Sequence, residues 1–372
     1  MSARPRVLIF STAYEPFIGG AEIAIKEITN KLDDYDFDLI TPRFKRSLPK
    51  KETIGRVNVY RVGWGSNFDK WWLAFWGHKL ASQLHKKNNY QIMWAMMASF
   101  GGLSAVRFKR KNESVPLLLT LQEGDDLVKL EGKVKILGRW WRDIFNLADH
   151  VQCISGYLAQ WAKKQGVPED KISIVPNGVD IDKFYFKNEE YNGEEVRLVT
   201  TSRLVYKNGL DLVIRALPLL PANIKFYIAG TGPEENSLKS LAKDLKVVDK
   251  IKWLGFIEYD KLPELLHQST IFVRPSRTEG LGNSFLEAMS CGVSVVATCV
   301  GGIADFLVDR ETGFVCQSEN PQSIADSIKF IVGKDNQDLV AEVRQGAREM
   351  VEERYSWKHV TGQMDNIFES LL

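Results

Sequence analysis

The run from Thr270 to Met289 constrains the fold more than any other stretch of the chain. Thr270-Ile271-Phe272-Val273 is apolar and β-branched, the loop from Arg274 to Gly282 is polar and glycine-containing, and Asn283 to Met289 has helical periodicity. Strand, loop and helix in that order put the loop at the carboxyl end of a parallel strand, where open α/β sheets hold their ligands. Gly280 and Gly282 allow backbone to approach a ligand closely, and the amides that open the next helix suit a phosphate.

Two carboxylates bracket this loop. Glu279 lies within it and Glu287 follows eight residues on, so the pair can accept hydrogen bonds from the hydroxyls of two sugars. Ser284-x-x-Glu287 also has the form of a capping box, which leaves a purely structural role open for Glu287. Glu279, beside glycines in a loop, has no local structural reason to be acidic.

A chain of 372 residues suits two domains, each burying its own core. The net charge of +2 hides an asymmetry: residues 1–180 carry 27 Lys+Arg against 19 Asp+Glu, the remainder 22 against 28. Cys153, Cys291, Cys299 and Cys316 have no metal-ligand spacing and mostly sit in apolar surroundings, so buried free thiols and no structural zinc are expected. The apolar run at the N-terminus is too short for a signal peptide, and no stretch reaches the roughly 18 apolar residues of a membrane span. A cytoplasmic location is the expectation.

Strands are expected at 7–10, 37–40, 57–62, 91–94, 117–121, 150–154 and 172–175, with helical patterns between most of them, which argues a doubly wound parallel sheet in an α/β protein. The first strand leads to Gly19-Gly20 and an amphipathic helix bearing Ala21, Ala24, Ile25, Ile28 and Leu32, a second strand, glycine loop and helix. Asn67 to Leu80 mixes Trp71, Trp72 and Trp76 with lysines, Arg107 to Lys111 is basic, and Lys133 to Trp141 extends the same character. The simpler reading is a core-facing aromatic stripe with solvated charges; the alternative is a surface that meets anionic lipid. Asp125-Asp126 reads as loop.

Glu279-x7-Glu287, followed by Ala288-Met289-x-x-Gly292-Val293-x-Val295-Val296-Ala297-Thr298 and Gly301-Gly302, resembles the donor-site signature of the family-4 retaining glycosyltransferases of GT-B fold. Pro16 to Glu22 matches that family's Pro-x-x-Gly-Gly-x-Glu pattern, Pro176 to Asp180 its entry into the second domain, and Ser202-Arg203-Leu204-x-x-Lys207-x-Gly209 its diphosphate-binding turn. The resemblance implies two Rossmann-like domains facing a central cleft: an acceptor-side domain at 1–180, a donor domain at 181–355, and a C-terminal helix at 356–372 that crosses back to the first.

It further implies hexosyl transfer from a UDP- or GDP-linked sugar to an acceptor hydroxyl, without cofactor or metal. Glu279, Arg203, Lys207 and Gln122 are the implied catalytic residues. Gly19, Gly20, Gly230, Phe256, Ile257, Gly280, Leu281, Gly282, Asn283, Ser284 and Glu287 would bind the donor. Gln122 stands where the family often has histidine; it can hydrogen-bond a hydroxyl but cannot titrate near neutral pH.

That departure leaves a nucleotide-sugar-binding protein without turnover as the alternative. A dehydrogenase is disfavoured, because no G-x-G-x-x-G is followed by an acid about 20 residues on. The basic, aromatic first half points to a glycan or lipid-linked acceptor of the cell envelope, and to contact with the anionic inner face of the membrane. Nucleic acid is not an expected partner.

Overall fold

The computed structural model describes residues 4–17, 19–125, 127, 131–132, 138–187 and 195–372. Asp126, residues 133–137 of the basic segment and residues 188–194 lie outside the described residues. The chain forms two compact units, one of Met1–Asn177 with Trp357–Leu372 and one of Gly178–Ser356.

The first unit runs β1 (Arg6–Phe10), α1 (Gly20–Lys31), β2 (Asp36–Pro42), β3 (Lys51–Ile54), β4 (Val57–Val62), α2 (Asp69–Asn88), β5 (Ile92–Met96), α3 (Phe100–Lys109), β6 (Leu117–Leu121), α4 (Arg139–Asn146), β7 (His150–Cys153), α5 (Gly156–Lys164) and β8 (Ile172–Ile174). Its strands lie in the order β3-β4-β2-β1-β5-β6-β7-β8. Every pair is parallel except β3 with β4. The central strands are covered on both faces and therefore read as continuous apolar runs, while the edge strand Lys51-Glu52-Thr53-Ile54 is polar and carries no such signal.

The second unit runs β9 (Val196–Thr201), α6 (Leu210–Ala216), β10 (Ile224–Ala229), α7 (Glu235–Asp244), β11 (Ile251–Gly255), α8 (Leu262–His267), β12 (Ile271–Arg274), α9 (Asn283–Ser290), β13 (Ser294–Ala297), β14 (Phe314–Val315), α10 (Pro321–Val332) and α11 (Gln337–Tyr355). The strands form a parallel sheet ordered β11-β10-β9-β12-β13-β14. From β9 the chain builds outward to β11, then returns to place β12 on the other side of β9. The switch point between β9 and β12 opens a crevice at their carboxyl ends.

The segment from Gly178 to Lys187 packs with this second unit. Phe184 is fully buried, and its carbonyl accepts hydrogen bonds from Ser290 Oγ at 2.6 Å and Arg348 Nη1 at 2.9 Å. These contacts hold the segment to the second unit, whose division from the first falls between Asn177 and Gly178. After α11 the backbone is extended at Ser356, and α12 (Trp357–Leu371) joins the first unit's core. Its Trp357, Val360, Met364 and Phe368 cluster with Ile25, Ile28, Phe37 and Trp94, and Tyr35 donates to Asp365 at 2.9 Å.

The aromatic segment does not face the core, contrary to the simpler reading. Helix α2 buries Leu73, Ala74, Gly77 and Ala81 instead. This small-residue ridge lets α2 lie close to α3: a Cβ on Gly77 would come within 2.5 Å of Ser104 Oγ. No room is left for an indole on that side, so Trp71, Trp72 and Trp76 are exposed. Among the described residues, no helix is long and apolar enough to cross a membrane. Cys153, Cys291 and Cys316 are buried free thiols, whereas Cys299 is exposed.

Candidate active site

The crevice beside the β9/β12 switch point is lined from the ends of three strands and from α9. A cavity of about 220 Å³ opens there, lined by Thr201, Ser202 and Arg203 after β9, Gly230 after β10, Phe256 and Ile257 after β11, and Ser284 and Glu287 on α9. Six of the residues expected from sequence thus meet around one space. A second cavity of about 240 Å³, behind Tyr206 and Asp211, contains none of them. Among the described residues the buried hydroxyls of Thr201 and Ser202 have no hydrogen-bond partner, and such groups on a cavity wall are capacity a polar ligand can take up.

Glu279 does have a structural partner, which its sequence neighbours conceal. Arg274, the last residue of β12, is buried and directs Nη2 to Glu279 Oε2 at 3.1 Å and Nη1 to Ser284 Oγ at 2.8 Å. Its guanidinium lies 4.1 Å from the centre of the Phe285 ring. Burial lowers the Arg274 pKa, while Glu279 and Glu287 work to raise it. The other oxygen of Glu279 accepts the Gly280 amide at 3.1 Å.

Gly301-Gly302 secures Glu279 from behind. Gly302 donates its amide to the Glu279 carbonyl at 3.0 Å, and a Cβ on Gly301, where φ is +57°, would stand 2.1 Å from that same carbonyl oxygen. Only glycine fits this approach.

The capping box at Ser284 and Glu287 does not form. Gly282, in the left-handed region, is the N-cap of α9, so Ser284 falls inside the first turn and its hydroxyl serves Arg274. Glu287 is released from capping and lines the cavity. Its burial pushes its pKa up to about 7, against the lowering effect of a Tyr259 hydrogen bond and of Arg274 and Lys183. Leu281 is buried, so only its backbone could meet a ligand. Lys207 lies on the single turn Tyr206–Asn208, which Arg277 fixes by donating its amide to the Lys207 carbonyl at 2.7 Å while its side chain pairs with Asp211 and Glu319.

In the first unit, Gln122 and Asn177 form a closed amide pair, with N–O distances of 2.9 and 3.1 Å. A Cβ on Gly20 would lie 3.8 Å from Asn177 Nδ2, and the Gly19 amide is taken by the carboxylate of Glu22 in the manner of half a capping box. A phosphate at this loop would have to displace Glu22. Glu123, next to Gln122, is buried, accepts the Ala98 amide at 2.7 Å, and has its pKa raised to about 7 by burial. Among the described residues, no three His, Cys, Asp or Glu side chains come together as a metal-ligand set.

Residues 181–350 match the family described as Glycosyl transferases group 1, and residues 18–183 match Glycosyltransferase Family 4. The chain belongs to the family-4 glycosyltransferases. Its two parallel-sheet units are those of the GT-B fold. An uncharacterized glycosyltransferase of Methanocaldococcus jannaschii is 25% identical over 99% of both chains. The phosphatidylinositol N-acetylglucosaminyltransferase gpi3 subunit of Schizosaccharomyces pombe is 28% identical over 61% of this chain, which spans only 50% of that protein. Among solved structures, Anabaena HepE in complex with UDP-glucose superposes with a TM-score of 0.77 at 18% identity, covering 98% of this chain and 99% of that one.

Arg274 and the cavity-lining Thr201 are site residues that sequence reasoning misses; for Arg274 a signal is present. A charged residue closing an otherwise apolar β-strand, directly before the glutamate loop, is the signal that could have found it.

Proposed function

We propose that this glycosyltransferase moves a hexosyl unit from a UDP- or GDP-linked sugar to an acceptor hydroxyl with retention of anomeric configuration. The observation that carries the reading is the cavity at the β9/β12 crevice, where Arg203, Glu287 and the buried hydroxyls of Thr201 and Ser202 converge. In this reading Arg203 and Lys207 neutralise the diphosphate as it leaves, helped by the amides of Asn283 and Ser284 at the start of α9. These groups supply the counter-charge, and no metal is assigned. Glu279, fixed by Arg274, orients the sugar hydroxyls and supports positive charge at the anomeric carbon, while Glu287 accepts the ribose hydroxyls.

The bond from the anomeric carbon to the phosphate oxygen breaks as the acceptor oxygen bonds to the same face, and the acceptor proton passes to the leaving phosphate. The UDP-glucose complex of HepE supports a UDP-sugar donor. A relative named for transfer to phosphatidylinositol supports a lipid-linked acceptor, in cell-envelope glycan or glycolipid synthesis. The test is proton NMR of the product, which should show the donor's anomeric configuration; an inverted product would overturn the mechanism.

Binding without turnover is favoured by one observation, the closed Gln122–Asn177 pair, which leaves no titrating group at that position. Donor binding with neither transfer nor slow donor hydrolysis by the wild-type protein would establish it.

A further inference from the structure

Six aromatic side chains are exposed on one region of the first unit, around helix α2. Trp64 and Phe68, at the helix entry, are 71% and 78% exposed, and Trp71, Trp72, Trp76 and Trp140 are 37–47% exposed. They are organised rather than scattered. Trp72 stacks on Trp76 with ring centres 4.6 Å apart, and Trp64 leans on Trp72 at 5.4 Å. The turn carrying Trp64 is held by Asp69, whose carboxylate accepts the amides of Trp64, Gly65 and Ser66 at 2.7–3.1 Å. An apolar surface so fixed and so exposed marks an interaction site.

The charges around it say what it meets. Phe68, Trp72 and Trp76 follow one another at i, i+4 and i+8, so they form one stripe. Further along the helix, Lys79, Lys86 and Lys87 are exposed. Asp69 is the only acid in α2, and it is buried in its own turn. Rings at one end and ammonium groups at the other match a bilayer, where indoles settle at headgroup depth and lysines attract anionic phosphates. A second copy of this chain fits less well, because a two-fold contact would gather the lysines of both copies in one interface with no free acid on α2 to offset them.

We propose that the α2 face, with Trp64, Phe68, Trp72 and Trp76 as its inserting edge, docks the protein onto an anionic lipid surface. The proposal goes beyond the donor chemistry and does not depend on it: the face lies on the first unit and the donor cavity on the second. It would bring a membrane-dissolved acceptor to the enzyme in two dimensions.

The experiment is co-sedimentation of the full chain with phosphatidylcholine vesicles, alone or carrying roughly a third phosphatidylglycerol, at low salt and at about 0.5 M salt. The W64S/F68S and K79E/K86E/K87E variants are compared with wild type, after circular dichroism has shown the same fold and melting temperature. Wild type should bind the anionic vesicles at low salt, with a blue shift of tryptophan fluorescence, and each variant should bind about tenfold or more weakly. Nucleotide binding should stay the same in all three, which separates this result from any failure of the donor assignment. No vesicle binding by wild type, or equal binding by wild type and variants, would overturn the proposal. So would a wild-type dimer in sedimentation that W64S/F68S dissociates, because the face would then belong to a second copy.

Discussion

Arg274 and Glu279 form an ion pair of 3.1 Å, and their side chains are only 5% and 13% exposed. Removing one member of a buried pair leaves the other charge without compensation, at a cost of about 3 kcal/mol or more. Arg274→Met should therefore lower stability by that order, and Glu279→Gln, which keeps a hydrogen-bond acceptor, by less. The double variant should be more stable than the sum of the two single losses indicates, as a double-mutant cycle in urea would show. Both single variants should lose transfer, because the glutamate is either absent or unheld. Additive losses would mean that the pair is not a unit.

With Glu287 in the proposed donor site, donor binding should depend on pH. Its burial raises its pKa to about 7, and two ribose hydroxyls are accepted best by the carboxylate form. Donor affinity should thus increase about tenfold between roughly pH 6 and 8, and level off above. Titration calorimetry on Glu287→Gln should show weaker binding and a flat profile over that range. The same rise in the variant would assign the titration to another group.

Glu123 makes the first unit's stability depend on pH in a definite direction. Burial raises its pKa from 4.5 to about 7, so between those values the folded state holds a proton that the unfolded state has lost. This contribution is complete below about pH 4.5 and is lost as pH rises through about 7, at most ~3 kcal/mol. Glu123→Gln should gain stability relative to wild type as pH rises from about 5 to 8, read as the difference between their denaturation midpoints. A constant difference would contradict the assignment.

Gly301 should tolerate no side chain. A Cβ there would stand 2.1 Å from the Glu279 carbonyl at a φ of +57°, so Gly301→Ala is expected to cost about 2 kcal/mol or more and to reduce transfer by moving Glu279. Gly362→Ala is the control: its Cβ would meet nothing within 4 Å in the middle of α12, and it should stabilise by about 0.5–1 kcal/mol. Thermal melts of the two variants compare them directly.

What the sequence shows of the site is what local chemistry encodes. Strands covered on both faces are continuous apolar runs, so β1, β6 and β12 are legible, and the loop with Glu279 and Glu287 follows from the strand it ends and the helix it begins. Arg203, Gly230 and Ile257 are far apart in the chain but each follows the end of a strand, and the parallel sheet brings those ends together. The role of Arg274 is not legible, because its partners Glu279, Ser284 and Phe285 are chosen by how the loop folds back. Ser284 and Glu287 look like a capping box only until the left-handed Gly282 takes the cap. The aromatic stripe of α2 reads as core because periodicity cannot tell which face is small enough to pack closely, and Gly77 against Ser104 decides that.

The proposed function rests on the cavity of the second unit binding a nucleotide diphosphate sugar through Arg203. The most direct test is the melting temperature of wild type and Arg203→Ala with UDP, UDP-glucose, GDP and GDP-mannose at saturating concentrations. One nucleotide class should raise the wild-type value by several degrees, since ligand at about 100 times its Kd adds about 2.7 kcal/mol, and Arg203→Ala should lose most of that shift. No shift with any nucleotide, or an equal shift in Arg203→Ala, would contradict the account.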